Sequence, residues 1–146
     1  MVDSCEHHCI LVLDFGGQYA QLLARTVREL GVYCLVLPYD SPPEALLDVE
    51  PKGVILSGGP ESTQALDAPK IPSVVWRMRC PVLGICYGMQ AMATVFDGQV
   101  SASDQGEYGH TVLDVASHSW LADVMHTGGP VWMSHQDYIS ACPKEF

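Results

Sequence analysis

Residues 81–90, Pro-Val-Leu-Gly-Ile-Cys-Tyr-Gly-Met-Gln, constrain the fold more than any other segment of the chain. A short apolar run ends at Cys86, and the residues that follow, through Phe96, have a helical pattern. This order predicts a strand, a tight turn and a helix, and the Gly84-x-Cys86-x-Gly88 spacing matches a nucleophile elbow with a thiol as nucleophile. Cys86 is therefore a candidate nucleophile, and the helix N-terminus is expected to lower its thiol pKa. The alternative is a buried cysteine beside an ordinary turn.

Apolar runs that alternate with helical patterns extend along most of the chain. The predicted strands are residues 9–14, 32–37, 53–57 and 82–85, and the predicted helices are residues 18–30, 41–50, 74–79 and 87–96, with Ser41 as the cap of the second helix. After residue 97 the pattern weakens to short strands around residues 99–100, 110–115 and 131–133. The alternation predicts an α/β fold, an open and mostly parallel sheet with helices on both faces.

Three of the predicted strands are each followed directly by glycines or by the candidate nucleophile. Gly16-Gly17 and Gly58-Gly59 follow two strands, and Cys86 follows a third. Reactive groups in parallel sheets collect at the carboxyl ends of the strands, so these segments are expected to converge on one edge. The alternative is that each glycine pair only permits a tight turn.

Charge and cysteine content exclude several classes of function. The formal net charge of -10, from 17 acidic and 7 basic side chains, argues against a nucleic-acid partner. No apolar run has the length of a membrane span, and the polar start lacks the basic end of a signal peptide, so no membrane partner and a cytoplasmic location are expected. In that compartment the 6 cysteines are expected to be free thiols.

The first residues are expected to lie outside the folded domain. Cysteines and histidines cluster within residues 5–9, but their spacing is too tight for a structural zinc site, so no metal ion is expected. The predicted organisation is a flexible leader over residues 1–9 and one domain over residues 10–146.

The segments after the strands resemble class I glutamine amidotransferases. Gly58-Gly59-Pro60 and residues 84–90 carry the general resemblance. Within this family, further segments are similar to the amidotransferase domains of GMP synthetases: residues 13–19, 55–62, 107–109 and 131–137. The resemblance runs from about residue 10 to residue 137 and implies a flavodoxin-like fold.

The resemblance implies a glutaminase reaction. Cys86 would attack the side-chain amide of glutamine, release ammonia and leave a thioester that water cleaves to glutamate. The backbone amides of Gly59 and Tyr87 would bind the oxyanion. The residues implied in substrate binding are Gly58, Gln90, Ser134 and His135. The partner would be an ATP pyrophosphatase (synthetase) domain or subunit that aminates XMP to GMP, with ATP and Mg bound there and no cofactor in this chain.

One expected element of the family is missing from the sequence. The family uses a Cys-His-Glu triad whose last two members lie in a His-Pro-Glu segment, and no such segment occurs up to Phe146. The domain is therefore expected to be incomplete at its C-terminus, with an exposed sheet edge, and weakly active or inactive by itself. His135 is a possible substitute base, although the resemblance gives its segment a different role.

Other functions stay open on the sequence alone. One is a non-catalytic glutamine-binding or docking module. The others are an amidotransferase subunit of another synthetase and an unrelated α/β enzyme with a cysteine elbow. Glu107-Tyr108-Gly109-His110 carries no readable chemistry, and contact with the synthetase partner is the only role suggested for it.

Overall fold

The computed structural model of the chain describes residues 8–115, 125 and 128–144, which fall into two compact units. The first, called here the α/β unit, comprises the described residues 8–100 and 139–144. The second, called here the β unit, comprises the described residues 101–115, 125 and 128–138.

The α/β unit contains a parallel four-stranded sheet in the order β2-β1-β3-β4. Its strands are β1 (Cys9–Asp14), β2 (Tyr33–Pro38), β3 (Gly53–Leu56) and β4 (Val82–Gly84). Its helices are α1 (Ala20–Glu29), α2 (Pro43–Leu47), a 3₁₀ helix (Ser73–Arg77) and α3 (Tyr87–Val95). The predicted α/β fold with a parallel sheet is confirmed.

The central strand β1 is buried on both faces, which explains its unbroken apolar sequence. Leu11 pairs with Leu35 of β2 on one side and with Val54 of β3 on the other. One face of the sheet packs against residues from α2, the 3₁₀ helix and α3, and the opposite face packs against α1. Helices therefore cover both faces, and the carboxyl ends of β1, β3 and β4 share one edge.

Local predictions differ from the structure mainly at the starts of helices. The N-cap of α2 is Pro42 and no side chain caps that helix, so the prediction of Ser41 as its cap is wrong. The backbone N–H of Ser41 instead donates to the carbonyl of Pro38 in a turn after β2, at 3.1 Å. The predicted helix over residues 74–79 is a 3₁₀ helix that begins at Ser73.

Two long strands, β5 (Gln99–Val112) and β6 (Pro130–Ala141), pair in a second, two-stranded sheet. The sequence predicted only short fragments of these strands. Along β6 the exposed Trp132 and Ser134 alternate with the half-buried Val131 and Met133. This alternation is typical of a sheet with one face towards water, whose polar residues weaken the sequence signal for a strand.

The start of the chain is described only from residue 8. Cys9 is buried as the first residue of β1, so it belongs to the sheet and not to a leader. The rest of the predicted leader, and with it most of the cysteine–histidine cluster, lies outside the described residues. All 5 described cysteines are free. No described helix is both long and apolar enough to cross a bilayer.

Candidate active site

Cys86 lies at a sharp turn between β4 and α3, as the elbow motif predicts. It is the N-cap of α3 and has a φ of 50° and a ψ of -113°. A positive φ is uncommon for a residue with a side chain, and such strained residues cluster at functional sites. The turn is held on both sides, because the N–H of Ile85 donates to the carbonyl of Leu56 (3.0 Å) and that of Gly88 to the carbonyl of Ser57 (3.1 Å).

The glycines on either side of Cys86 are required by close backbone packing. A Cβ on Gly84 would lie 2.6 Å from the Cα of Met89, in the first turn of α3. A Cβ on Gly88 would lie 2.6 Å from the Cβ of Leu56 in β3 and even closer to the carbonyl oxygen of that residue. Only glycine therefore allows α3 to approach the sheet so closely.

The glycine pairs that follow β1 and β3 converge on the elbow, as predicted. A Cβ on Gly58 would lie 3.5 Å from the Cβ of Cys86. A Cβ on Gly17 would collide with the carbonyl group of Gly58, and one on Gly59 would lie 3.4 Å from the ring of Tyr87. The structure therefore brings Gly17, Gly58, Gly59 and Cys86 together at the carboxyl edge of the sheet.

Two backbone N–H groups at this edge are the predicted oxyanion donors. Tyr87 is the first residue of α3, where a helix offers no intrahelical acceptor to the N–H group. Gly59 packs close to both the ring of Tyr87 and the carbonyl oxygen of Phe15. The two donors therefore lie in neighbouring segments, and their role in binding an oxyanion stays a prediction.

The pKa of the Cys86 thiol is shifted in the direction opposite to the one that the sequence predicts. The residue is exposed, yet burial of the thiol by the surrounding atoms raises the pKa of Cys86. The helix N-terminus alone predicted the opposite direction. Burial accounts for the shift among the described residues, and no imidazole or carboxylate in the described part of the α/β unit contributes to it. A raised pKa favours the protonated thiol over the nucleophilic thiolate, so a base would assist its activation.

The side chain of Tyr87 connects the elbow to the long loop before the 3₁₀ helix. Its hydroxyl donates to the carbonyl of Pro69 at 2.5 Å, and its ring lies 5.4 Å from that of Phe15. Burial, with smaller contributions from Tyr39 and Glu61, raises the pKa of Tyr87 to about 12. The hydroxyl therefore remains a hydrogen-bond donor over the whole physiological pH range.

Gln90 lies one helical turn after Cys86 and is buried, with 4% of its surface exposed. Its N–H donates to the carbonyl of Cys86 at 3.1 Å, and its carbonyl accepts the hydroxyl of Thr94 at 3.0 Å. Gln90 is therefore part of the packed interior and not a solvated helix residue. A role in holding the substrate stays a prediction.

Ser134 and His135 belong to the β unit, on strand β6. Ser134 is exposed, whereas the side chain of His135 is 15% exposed and its Nε2 lies 3.4 Å from Oε2 of Glu107. The Nδ1 atom of His135 is buried and has no hydrogen-bond partner among the described residues. Glu107 thus has a structural partner that the sequence did not indicate. The substrate-binding role of Ser134 and His135 stays a prediction.

Ser57 is the site residue that sequence reasoning missed. It follows β3 directly, is fully buried, and its hydroxyl bonds to the backbone of Phe15 and Gly58. The available signal was a polar residue between an apolar strand and a glycine pair, at the predicted functional edge.

Comparison with known proteins gives consistent matches over nearly the whole chain. Residues 11–146 match the family described as glutamine amidotransferase class-I. A GMP synthase [glutamine-hydrolyzing] from Pseudomonas entomophila is 46% identical over 147 residues, which cover 95% of this chain and 28% of the relative. A GMP synthase [glutamine-hydrolyzing] from Sodalis glossinidius is 46% identical over 154 residues, covering 100% of this chain and 29% of the relative. The chain thus spans less than a third of the length of these relatives.

Solved structures show the same fold. A GMP synthase subunit from Thermoplasma acidophilum superposes with a TM-score of 0.78 at 31% identity, covering 93% of this chain and 68% of that one. A glutamine amidotransferase from Methylobacillus flagellatus superposes with a TM-score of 0.61 at 23% identity, covering 92% of this chain and 57% of that one. This second match supports the fold alone.

Proposed function

The chain belongs to the class I glutamine amidotransferase family, and we propose that it is the glutamine-hydrolysing part of a GMP synthetase. The observation that carries the proposal is the strained elbow of Cys86, with Gly58 and Gly59 packed beside it. The GMP synthase relatives favour this synthetase over others as the destination of the ammonia.

The proposed reaction uses Cys86 as a nucleophile. Its sulfur attacks the side-chain amide carbon of glutamine, and the C=O oxygen becomes an oxyanion bound by the N–H groups of Gly59 and Tyr87. The C–N bond then breaks, and the proton taken from the thiol leaves with the nitrogen as ammonia. Water hydrolyses the thioester to glutamate and restores the thiol. One oxyanion donor typically contributes ~3–4 kcal/mol to such a step.

Activation of the thiol limits this reaction in the chain by itself. Burial raises the pKa of Cys86, and a positioned base typically contributes ~10²–10⁴ in rate. We therefore propose that the chain hydrolyses glutamine slowly unless a base reaches Cys86.

The proposed partner is the ATP pyrophosphatase domain or subunit of the synthetase. It would use the ammonia to aminate XMP, with ATP and Mg bound there and not in this chain. The proposed location is cytoplasmic, which the free state of the 5 described cysteines supports.

A chloroketone analogue of glutamine tests the proposal, because it requires a formed pocket and a reactive thiol but no turnover. Cys142 is the matched control, since it is a free and exposed cysteine like Cys86 but lies outside the elbow. We expect selective labelling of Cys86, protection by glutamine, and loss of the label in Cys86→Ala.

Glutamate release, measured with and without the synthetase partner, separates catalysis from binding. Chloroketone labelling of Cys86 without glutamate release in either assay would favour a non-catalytic glutamine-binding module. The raised pKa of the Cys86 thiol is the observation that supports this second candidate. Equal labelling of Cys86 and Cys142, with no protection by glutamine, would overturn the proposed function.

A further inference from the structure

Ser57 uses all of its polar groups to join the segments that form the elbow. Its N–H donates to the carbonyl of Leu13 at 3.0 Å, and its carbonyl accepts the N–H of Gly88 at 3.1 Å. Its hydroxyl accepts the N–H of Phe15 at 3.1 Å and donates to the carbonyl of Gly58 at 2.9 Å. The residue is 0% exposed, so water does not compete for these bonds. Ser57 thus connects β1, the glycine loop and α3.

The bond from Ser57 to Gly58 has a consequence for the next N–H group. The peptide between Gly58 and Gly59 is planar and trans, so its C=O and its N–H point in opposite directions. The hydroxyl of Ser57 holds the C=O on one side, where the backbone of Gly17 also packs against it. The N–H of Gly59 is therefore directed away from Ser57 and Gly17.

We propose that Ser57 is a positioning residue for the proposed glutaminase reaction. Its hydroxyl fixes the Gly58–Gly59 peptide so that the Gly59 N–H is aimed at the oxyanion that develops on the substrate of Cys86. Without this bond two adjacent glycines leave the peptide free to rotate, because glycine restricts the backbone least of all residues. This inference rests on the proposed function, since it assigns to Gly59 the donor role in that reaction.

The test compares Ser57→Ala with Val54→Ala. Val54 lies on the same strand and is buried, so its truncation provides a variant with a weakened core and an intact hydroxyl. Ser57→Thr retains the hydroxyl and is the rescue variant. Each variant is labelled at Cys86 with the glutamine chloroketone and, separately, with iodoacetamide. The chloroketone is held in the glutamine pocket with its carbonyl oxygen near the oxyanion donors, whereas iodoacetamide alkylates by direct displacement of iodide and uses neither the pocket nor the donors.

We expect the ratio of chloroketone to iodoacetamide rates to fall about 10-fold in Ser57→Ala, a fraction of the effect of deleting a donor outright. The ratio should stay within about twofold in Val54→Ala and recover in Ser57→Thr. Where turnover is measurable, kcat should fall by the same factor as the ratio and KM should change little, because a misaimed oxyanion donor affects the transition state only. A purely structural role would instead change both alkylation rates together.

A second measurement keeps this test independent of glutamine chemistry. The ¹H–¹⁵N heteronuclear NOE of the Gly59 amide should fall in Ser57→Ala and not in Val54→Ala. Absence of selective chloroketone labelling in the unmodified chain would overturn the proposed function, and the NOE would then decide the role of Ser57. An unchanged Gly59 NOE in Ser57→Ala, or an unchanged rate ratio in a chain that does label, would overturn the inference.

Discussion

Replacement of Gly88 by alanine is expected to destabilise the α/β unit, although helix propensity predicts the reverse. Gly88 is the second residue of α3, and there alanine is favoured by ~0.5–1 kcal/mol on propensity alone. A Cβ at this position would, however, lie 2.6 Å from the Cβ of Leu56 and 2.7 Å from its carbonyl carbon. Rotation of a side chain cannot relieve contacts with the backbone of β3, so α3 has to move away from the sheet.

The structure sets the size of the effect. Overpacking of a core costs ~1–3 kcal/mol, and the upper end applies because the contacted atoms include main chain. Movement of α3 also weakens the bond from the Gly88 N–H to the carbonyl of Ser57, with a contribution of ~1 kcal/mol. After the gain in propensity of ~0.5–1 kcal/mol, the free energy of unfolding should fall by about 3–3.5 kcal/mol. For a chain of 146 residues this corresponds to a decrease in Tm of about 6–14 °C.

Urea unfolding followed by circular dichroism measures this change, with Gly31→Ala as the matched control. Gly31 has a φ of 80° but no atom within 4 Å of an added Cβ, so its replacement costs only backbone strain of ~1–2 kcal/mol. A larger decrease in the free energy of unfolding for Gly88→Ala than for Gly31→Ala would support the close packing of α3 on β3. A Gly88→Ala protein as stable as the unmodified chain would refute the reasoning, because propensity would then outweigh the contact with Leu56.

Other measurements address the thiol, the tyrosine and the core. The rate of alkylation of Cys86 by iodoacetamide should rise with pH around a midpoint above that of free cysteine, because burial raises the pKa and only the thiolate reacts; a lower midpoint would contradict this. Tyr87→Phe should lower the free energy of unfolding by ~1 kcal/mol through loss of the bond to Pro69, and should remove a phenol that ionises near pH 12 in an ultraviolet titration. Leu11→Ala should cost ~2–5 kcal/mol, since Leu11 is fully buried, whereas Leu66→Ala at an exposed position should change stability by less than ~0.5 kcal/mol; equal effects would contradict the assigned core.

The sequence predicted the parts of the fold that local patterns determine. The apolar run of residues 9–14 predicted a strand, and β1 lies inside the parallel sheet between β2 and β3. The spacing of Gly84, Cys86 and Gly88 predicted the elbow, because only a strand followed at once by a helix requires small residues at both positions. The convergence of Gly58 with Cys86 followed from the rule for parallel strands.

The features that depend on tertiary contacts could not be predicted in this way. Strand β5 contains Gly106 and Gly109, which disfavour a strand, and its pairing with β6 outweighs that local preference. Burial around the thiol reverses the effect expected from a helix N-terminus on the pKa of Cys86. The importance of Ser57 lies in bonds to residues of β1 and α3, which no spacing in the sequence reveals.

The seating of α3 directly on the main chain of β3 has a consequence for how such a sequence tolerates change. The position of Cys86 is determined by close backbone packing, which the lack of side chains at Gly84 and Gly88 allows. Aliphatic residues deeper in the sheet can therefore be exchanged for others of similar volume without displacing Cys86. A protein engineer would find stabilising substitutions there, and would have to leave the two glycines untouched.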